Sequence, residues 1–320
     1  VKLRRVTIDT NPDICNLNCI MCDTHSIYNG NFKASRKATS KELLEKILDE
    51  VLKFDLEEII PSTMGEPLLY REFNTFIDKL SGSRTKLNLT TNGTFPNGVD
   101  RWAERLLPIL SDIKISINSV NPDVNQKIMV GDDTKKKIES IKRFIALRDK
   151  INRNVTVTLQ VTFLKSNLQH LEEIIKFAID IGADRVKGHQ LWVNWREMEG
   201  ESLQQSESSI RGWNSFVEQI DRYRDRVKLV NFKKIELGRG GYLVPDSYIC
   251  PFLGRELWID HEGSFNVCCA PSDRRAVLGD WGSIKTKSIE ELFNSKEYID
   301  LVKNYKEQNI CRDCSLRVPT

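Results

Sequence analysis

Apolar positions along this chain switch repeatedly between a period of two and a period near 3.6, the marks of strands and of amphipathic helices. Alternating β-branched runs predict strands at residues 3–9, 57–61, 86–91, 112–119, 155–163 and 184–187, with helical patterns between them at 41–53, 72–80, 102–110, 136–149 and 168–181. Thr39 and Ser40 stand where an N-cap belongs, ahead of Leu43, Leu44, Ile47, Leu48 and Val51 on one helical face. Gly182 closes the last of these helices. Parallel neighbours need a helix-length crossover, so six strand-and-helix steps predict an α/β fold with a parallel sheet and right-handed connections.

The rhythm breaks after Lys187. Residues 189–247 carry Trp192, Trp195 and Trp213, a polar stretch at 199–209, glycines at 238, 240 and 241, and one expected helix at 210–224. From Tyr248 the pattern is that of a small α+β module, with strands at 256–260 and 264–269 around the turn His261-Glu262-Gly263, then a helix at 289–305. The expected organisation is a main domain over 1–190, a connector over 191–247 and a C-terminal module over 248–320.

Composition narrows the function. The 320 residues are 40% hydrophobic and 29% charged, and no apolar run approaches the roughly 20 residues of a membrane span. Neither a membrane partner nor a signal peptide is expected. Lysine and arginine number 48 against 45 acidic residues, a formal charge of +3, far from the basic excess that phosphate neutralisation demands, so nucleic acid is not an expected partner. The Lys135-Lys136-Lys137 run reads as a solvated helix start. The eight cysteines lie in two tight groups with none between Cys22 and Cys250. A disulfide framework spreads its cysteines through a short secreted chain; grouped thiols read as metal or cluster ligands in a cytoplasmic protein.

Cys15, Cys19 and Cys22 fall within eight residues on the loop after the first strand, the end at which parallel sheets place their chemistry. Structural zinc takes four ligands, whereas a cubane held by three cysteines leaves one iron open. A zinc site completed by His25, or three incidental thiols, are the competing readings. This C-x3-C-x2-C resembles the motif of the radical S-adenosylmethionine (SAM) enzymes. The resemblance implies a partial (β/α)6 TIM-like barrel with a [4Fe-4S] cluster on the three cysteines and SAM chelating its fourth iron. It also implies reductive cleavage of SAM to a 5'-deoxyadenosyl radical, which abstracts hydrogen from a substrate C–H bond. Met64-Gly65-Glu66-Pro67 is similar to the family's Gly-Gly-Glu-Pro segment, with Met64 in place of its first glycine; Gly65 and Glu66 are thereby implied to hold the methionyl ammonium. Met21 takes the place where many members set an aromatic near the adenine. Asn92 and Ser116 sit at strand ends that in the family approach the ribose and methionine parts of SAM, and as isolated polar residues they equally suit strand-end hydrogen bonding.

Cys250, Cys268, Cys269, Cys311 and Cys314 form the second group. Four of the five make a closed tetrathiolate, and spacing alone leaves zinc and iron–sulfur open. Cys250-x17-Cys268 with a terminal C-x2-C resembles the short twitch form of the SPASM module found in 2-deoxy-scyllo-inosamine dehydrogenase-type and radical SAM epimerase-type enzymes. The implied ligands of an auxiliary [4Fe-4S] cluster are Cys250, Cys268, Cys311 and Cys314. Cys269, next to a ligand on an expected strand, should face away from it. It is a packed thiol, a replacement ligand, or the catalytic hydrogen donor that a similar pair supplies in some epimerases. His189 and Gln190, at the barrel rim, are candidate substrate residues. The expected activity is oxidation or epimerisation of a small polar molecule, fed by an electron donor such as flavodoxin or ferredoxin. A peptide-modifying maturase and a non-catalytic iron–sulfur or zinc protein are the alternatives.

Overall fold

The computed structural model describes residues 2–30, 33–61, 64–236, 244–270, 272–312, 314 and 316–319; glycines 238, 240 and 241 lie outside that set. The first part runs β1 (Arg5–Ile8), α1 (Lys41–Val51), β2 (Glu58–Pro61), α2 (Asn74–Leu80), β3 (Lys86–Thr91), α3 (Val99–Leu106), β4 (Leu110–Ser116), α4 (Pro122–Ile128), α5 (Thr134–Ile151), β5 (Thr156–Phe163), α6 (Leu171–Ile181) and β6 (Arg185–Gln190). Ser40 caps α1, its hydroxyl accepting from the Leu43 N–H, and Leu44, Ile47, Leu48 and Val51 are buried. Gly182 ends α6 in the left-handed conformation at φ +73°. The helix expected at 102–110 is shifted: α3 starts at Val99 and Leu110 already opens β4. The unforeseen α4 follows an Asn121 cap and a proline at its first position, a local signal present in the sequence.

Then come α7 (Glu207–Gln219), β7 (Lys228–Val230), β8 (Glu256–Ile259), β9 (Phe265–Asn266), α8 (Ser272–Arg275), α9 (Ile289–Asn294), α10 (Lys296–Asn304) and α11 (Asn309–Arg312). The single helix expected at 289–305 is two, because Ser295 turns extended (ψ 143°) and caps α10 by accepting from the Tyr298 N–H. The strand expected at 264–269 shrinks to two residues paired antiparallel with Trp258 and Ile259, and the chain bends at Val267.

Among the described residues nine strands form one open sheet in the order β7-β6-β5-β4-β3-β2-β1-β8-β9, all neighbours parallel except β8 and β9. The sheet is a partial barrel. β8 lies on the free edge of β1, so the C-terminal hairpin continues the barrel sheet, and Arg5 pairs with Glu58 on one side (2.8 Å) and Glu256 on the other (3.1 Å). Val6, Ile8, Ile59, Leu87, Ile113 and Val157 point outward and are fully buried under the helices. Gly188 sits flush on this face: a Cβ there would stand 1.8 Å from the Phe163 ring, which packs on Trp213 and Phe232.

The lumen face is polar, unlike the branched apolar filling usual in closed barrels. Thr90, Lys114, Thr158 and Arg185 register in one row, and Ser116, Gln160 and Lys187 in the next. Among the described residues no helix is long and apolar enough to cross a membrane.

At the top of the β1–β8 seam, Asp9 keeps one buried carboxylate oxygen without a hydrogen-bond partner. Burial raises its pKa from 3.8 to about 6, against the pull of Arg36 and His261. An acid whose folded pKa lies above its unfolded value binds more protons when folded, so its penalty grows as pH rises through that interval. Asp9→Asn is therefore expected to stabilise the apoprotein at neutral pH by up to about 3 kcal/mol. The gain should vanish below pH ~4. Urea unfolding across this range measures it, and identical pH slopes in the two proteins would contradict it.

Candidate functional site

The loop after β1 and the ends of β2 to β6 enclose a cavity of about 400 Å³ whose wall includes Cys15, Cys19, Cys22, Met21, Asn92 and Ser116. The loop is locked against the turn after β2. Gly65 adopts φ +75°, and a Cβ there would stand 2.3 Å from the Asn11 carbonyl oxygen and 2.7 Å from that of Ile14, so only glycine fits this approach. The Glu66 N–H donates to the Ile14 carbonyl (2.8 Å), and the Asn11 amide donates to the Glu66 carbonyl (2.8 Å). The Glu66 carboxylate, 1% exposed, accepts from the Thr91 hydroxyl (2.7 Å) and from the N–H groups of Asn92 (2.7 Å) and Leu68 (3.1 Å). Burial pushes its pKa up, and these donors and Lys137 oppose the rise.

Burial also raises all three thiols, Cys19 to about 12 and Cys22 to about 11. Soft sulfur donors that resist ionising on their own suit a cationic metal centre, which takes them as thiolates. The His25 N–H donates to the Cys22 sulfur (3.2 Å), and the Asn92 amide lies 4.0 Å from that of Cys15. One ring nitrogen of His25 is bonded to the Pro12 carbonyl at 2.9 Å. Among the described residues no three carboxylate, imidazole or thiol groups gather tightly enough to clasp a single ion. The donor set fits a wider soft centre open on its cavity side.

Two features of this site were not anticipated. Lys137, expected to be solvated, is 2% exposed: its ammonium pairs with Asp132 (2.8 Å) and donates to the Ser116 carbonyl (3.3 Å). Only this member of the lysine run turns inward on α5, and its charge favours the ionised forms of Cys19 and Glu66. The connector also folds back over the cysteine loop. Leu191 and Met198 pack with Leu17, Ile20, Ile128 and Met129, and the Trp195 indole N–H donates to the Cys22 carbonyl at 2.7 Å.

His189 and Gln190 separate, as adjacent strand residues must. His189 lies on the cavity wall, open to the cavity and hydrogen-bonded to the Thr162 hydroxyl (3.1 Å), and desolvation by the surrounding walls, aided by the Lys187 charge, lowers its pKa. Gln190 is off that wall, with a buried amide oxygen lacking a partner.

A second cavity, of about 920 Å³, is lined by Cys250, Cys268, Cys269, Cys311 and Cys314, with Trp192 and Val193 of the connector on the same wall. Ile249 and Val318 exchange backbone hydrogen bonds (2.8 and 2.9 Å), bringing the C-x2-C back to Cys250. Cys269 does not face away from Cys268. The strand ends at Asn266, alternation is lost, and the two thiols line the same cavity. Their proximity lowers the pKa of Cys268 and raises that of Cys269, while burial raises Cys311 to about 12. The set offers five soft donors, one more than a closed cluster takes.

Gly65→Ala is expected to cost about 1–3 kcal/mol through overlap and a left-handed backbone. It should also lift the cysteine loop off the Glu66 turn. Faster alkylation of Cys15, Cys19 and Cys22 in the folded apoprotein, read by mass spectrometry, is the expected outcome; parental rates would argue against the lock.

A sequence model of the Radical SAM superfamily matches residues 12–178, and one of an iron–sulfur cluster-binding domain, SPASM, matches residues 250–315. These carry with them a [4Fe-4S] cluster that binds SAM and auxiliary iron–sulfur binding. A probable GTP 3',8-cyclase of Methanocaldococcus jannaschii is 32% identical over 174 residues, 53% of each chain. The chain spans about half the length of the curated relatives it matches. Streptococcus suis SuiB bound to precursor peptide SuiA superposes with a TM-score of 0.67 at 15% identity, over 98% of this chain and 70% of that one. The protein anSMEcpe with bound AdoMet gives 0.66 at 17%, over 98% and 85%. At these identities the likeness is one of fold. The family match spans more than half of the sequence, and this chain belongs to the radical SAM superfamily.

Proposed function

We propose that this chain abstracts hydrogen from a small polar molecule and completes the reaction as an oxidation. A [4Fe-4S] cluster with SAM, when bound, supplies the hydrogen-abstracting radical. Cys15, Cys19 and Cys22 hold the cluster, Gly65 and Glu66 hold the ammonium of SAM, Met21 lies beside its base, and Asn92 and Ser116 orient the remainder. Cys250, Cys268, Cys311 and Cys314 would hold the auxiliary cluster, which would supply an acceptor for the second electron while a proton leaves the substrate. A flavodoxin or ferredoxin delivers the first electron in the cytoplasm, and nucleic acid plays no part.

One observation carries this reading: a single short stretch of the connector reaches both thiol-lined sites. Within four residues of the connector, Trp192 and Val193 line the second cavity while Trp195 is bonded to the Cys22 loop of the first. A substrate in the first cavity meets Ser116, Gln160, Thr162 and His189 as hydrogen-bonding partners, beneath a connector whose Leu191 and Met198 pack on the cysteine loop. Epimerisation is the second reading, favoured by the Cys269 thiol, which lines the second cavity beside Cys268 and could return a hydrogen atom. The cyclase relative and the peptide-bound neighbour put nucleotides and peptides in the first substrate panel.

Anaerobic reconstitution should give about eight irons per chain and reductant-dependent 5'-deoxyadenosine. Replacing Cys15, Cys19 and Cys22 by alanine should leave about four irons and no cleavage. Zinc in place of iron, or no cleavage by the parent, would overturn the reading. With a substrate in hand, oxidation gives a product two hydrogens lighter. Solvent deuterium in the product, lost in Cys269→Ala, would instead establish epimerisation.

A further inference from the structure

We propose that Lys187 seats an anionic group of the substrate, a carboxylate or a phosphate ester, at the base of the barrel lumen. The proposal rests on the radical SAM reading above and deepens it by naming the class of molecule admitted.

Register fixes where Lys187 points. Ser116, Gln160 and Lys187 are paired in turn across β4, β5 and β6, and residues paired in parallel strands project to the same face. Ser116 and Gln160 line the first cavity, as do Thr162 and His189 one row above. Lys187 therefore faces the lumen just below the residues that line that cavity, and its charge is felt by the His189 ring.

A census of charge then singles it out. Arg5 is paired with Glu58 and Glu256, while Lys114 (2.9 Å) and Arg185 (2.7 Å) share Asp112. Lys137, behind the wall, is neutralised by Asp132. Among the described charged side chains of this layer, that of Lys187 alone has neither an ion pair nor a hydrogen bond. The groups acting on it are Lys114, Arg185 and Arg5 against a single acid, Asp112. A largely buried ammonium among other cations is costly to maintain unless an anion joins it. The polar groups beside it in register, Gln160 and one row above His189, bring no acid to compete for it.

Two anions are candidates by chemistry: a group on the substrate, and the carboxylate of SAM itself. The Glu66 turn and the cysteine loop belong to the β1–β3 side of the cavity, whereas Lys187 lies on β6, which favours the substrate.

The test titrates inorganic phosphate calorimetrically into cluster-loaded protein with and without SAM, for the parent, Lys187→Arg and Lys187→Gln. The expected result is one phosphate per chain, retained by Lys187→Arg and weakened about tenfold or more in Lys187→Gln, as for loss of a charge-assisted hydrogen bond. SAM binding, measured separately, should persist in both variants. No phosphate bound by the parent, or equal binding by Lys187→Gln, overturns the proposal; so does loss of SAM in place of phosphate, which would assign Lys187 to the cofactor. Removing an unpaired charge should not lower the melting temperature, so a Lys187→Gln protein that fails to fold also counts against it. Failure of the parent to cleave SAM would strike the enzymatic reading and leave the phosphate titration to judge Lys187 by itself.

Discussion

Strand β1 is the constraint from which the arrangement follows. It has four residues and hydrogen-bonds in parallel on both sides, to β2 and to β8. Arg5 clamps both neighbours at its lower end, and the Asp9 N–H donates to the Ile259 carbonyl at its upper end (2.8 Å). The cysteine loop leaves from this strand, and the hairpin leading to Cys268 is built on it. The two thiol groups, at opposite ends of the chain, therefore share one rigid element.

Electrostatics in the interior work in pairs. Burial alone makes the cysteines of the first loop poor thiolates, and the protein answers with nearby donors and the positive end of the Lys137–Asp132 pair. Glu66 is kept in an otherwise hostile environment by three donors. Such fully bonded groups are rigid, which suits holding a reactive centre within narrow tolerances.

Much of this was legible in the sequence, because strand and helix periods are local and cysteine spacing is too. The β1 to β6 alternation and both thiol groups could be read directly. Non-local facts could not. Nothing near residue 256 announces a partner at residue 5, and a three-residue strand such as Lys228–Val230 is too short to show a period. The lysine run gave no sign that Lys137 alone turns inward. Alternation sends Cys269 away from Cys268 only where a ladder continues, and it stops at Asn266. His189 and Gln190 are neighbours in sequence, yet a strand sends them to opposite faces.

The bond from Trp195 to the Cys22 carbonyl links residues 173 positions apart. During synthesis the cysteine loop emerges long before the segment that covers it, and its thiols stand open to solvent throughout that interval. The thiols still line an open cavity in the folded chain, so the late-arriving connector braces the backbone of a loop that can take up its metal before or after that docking.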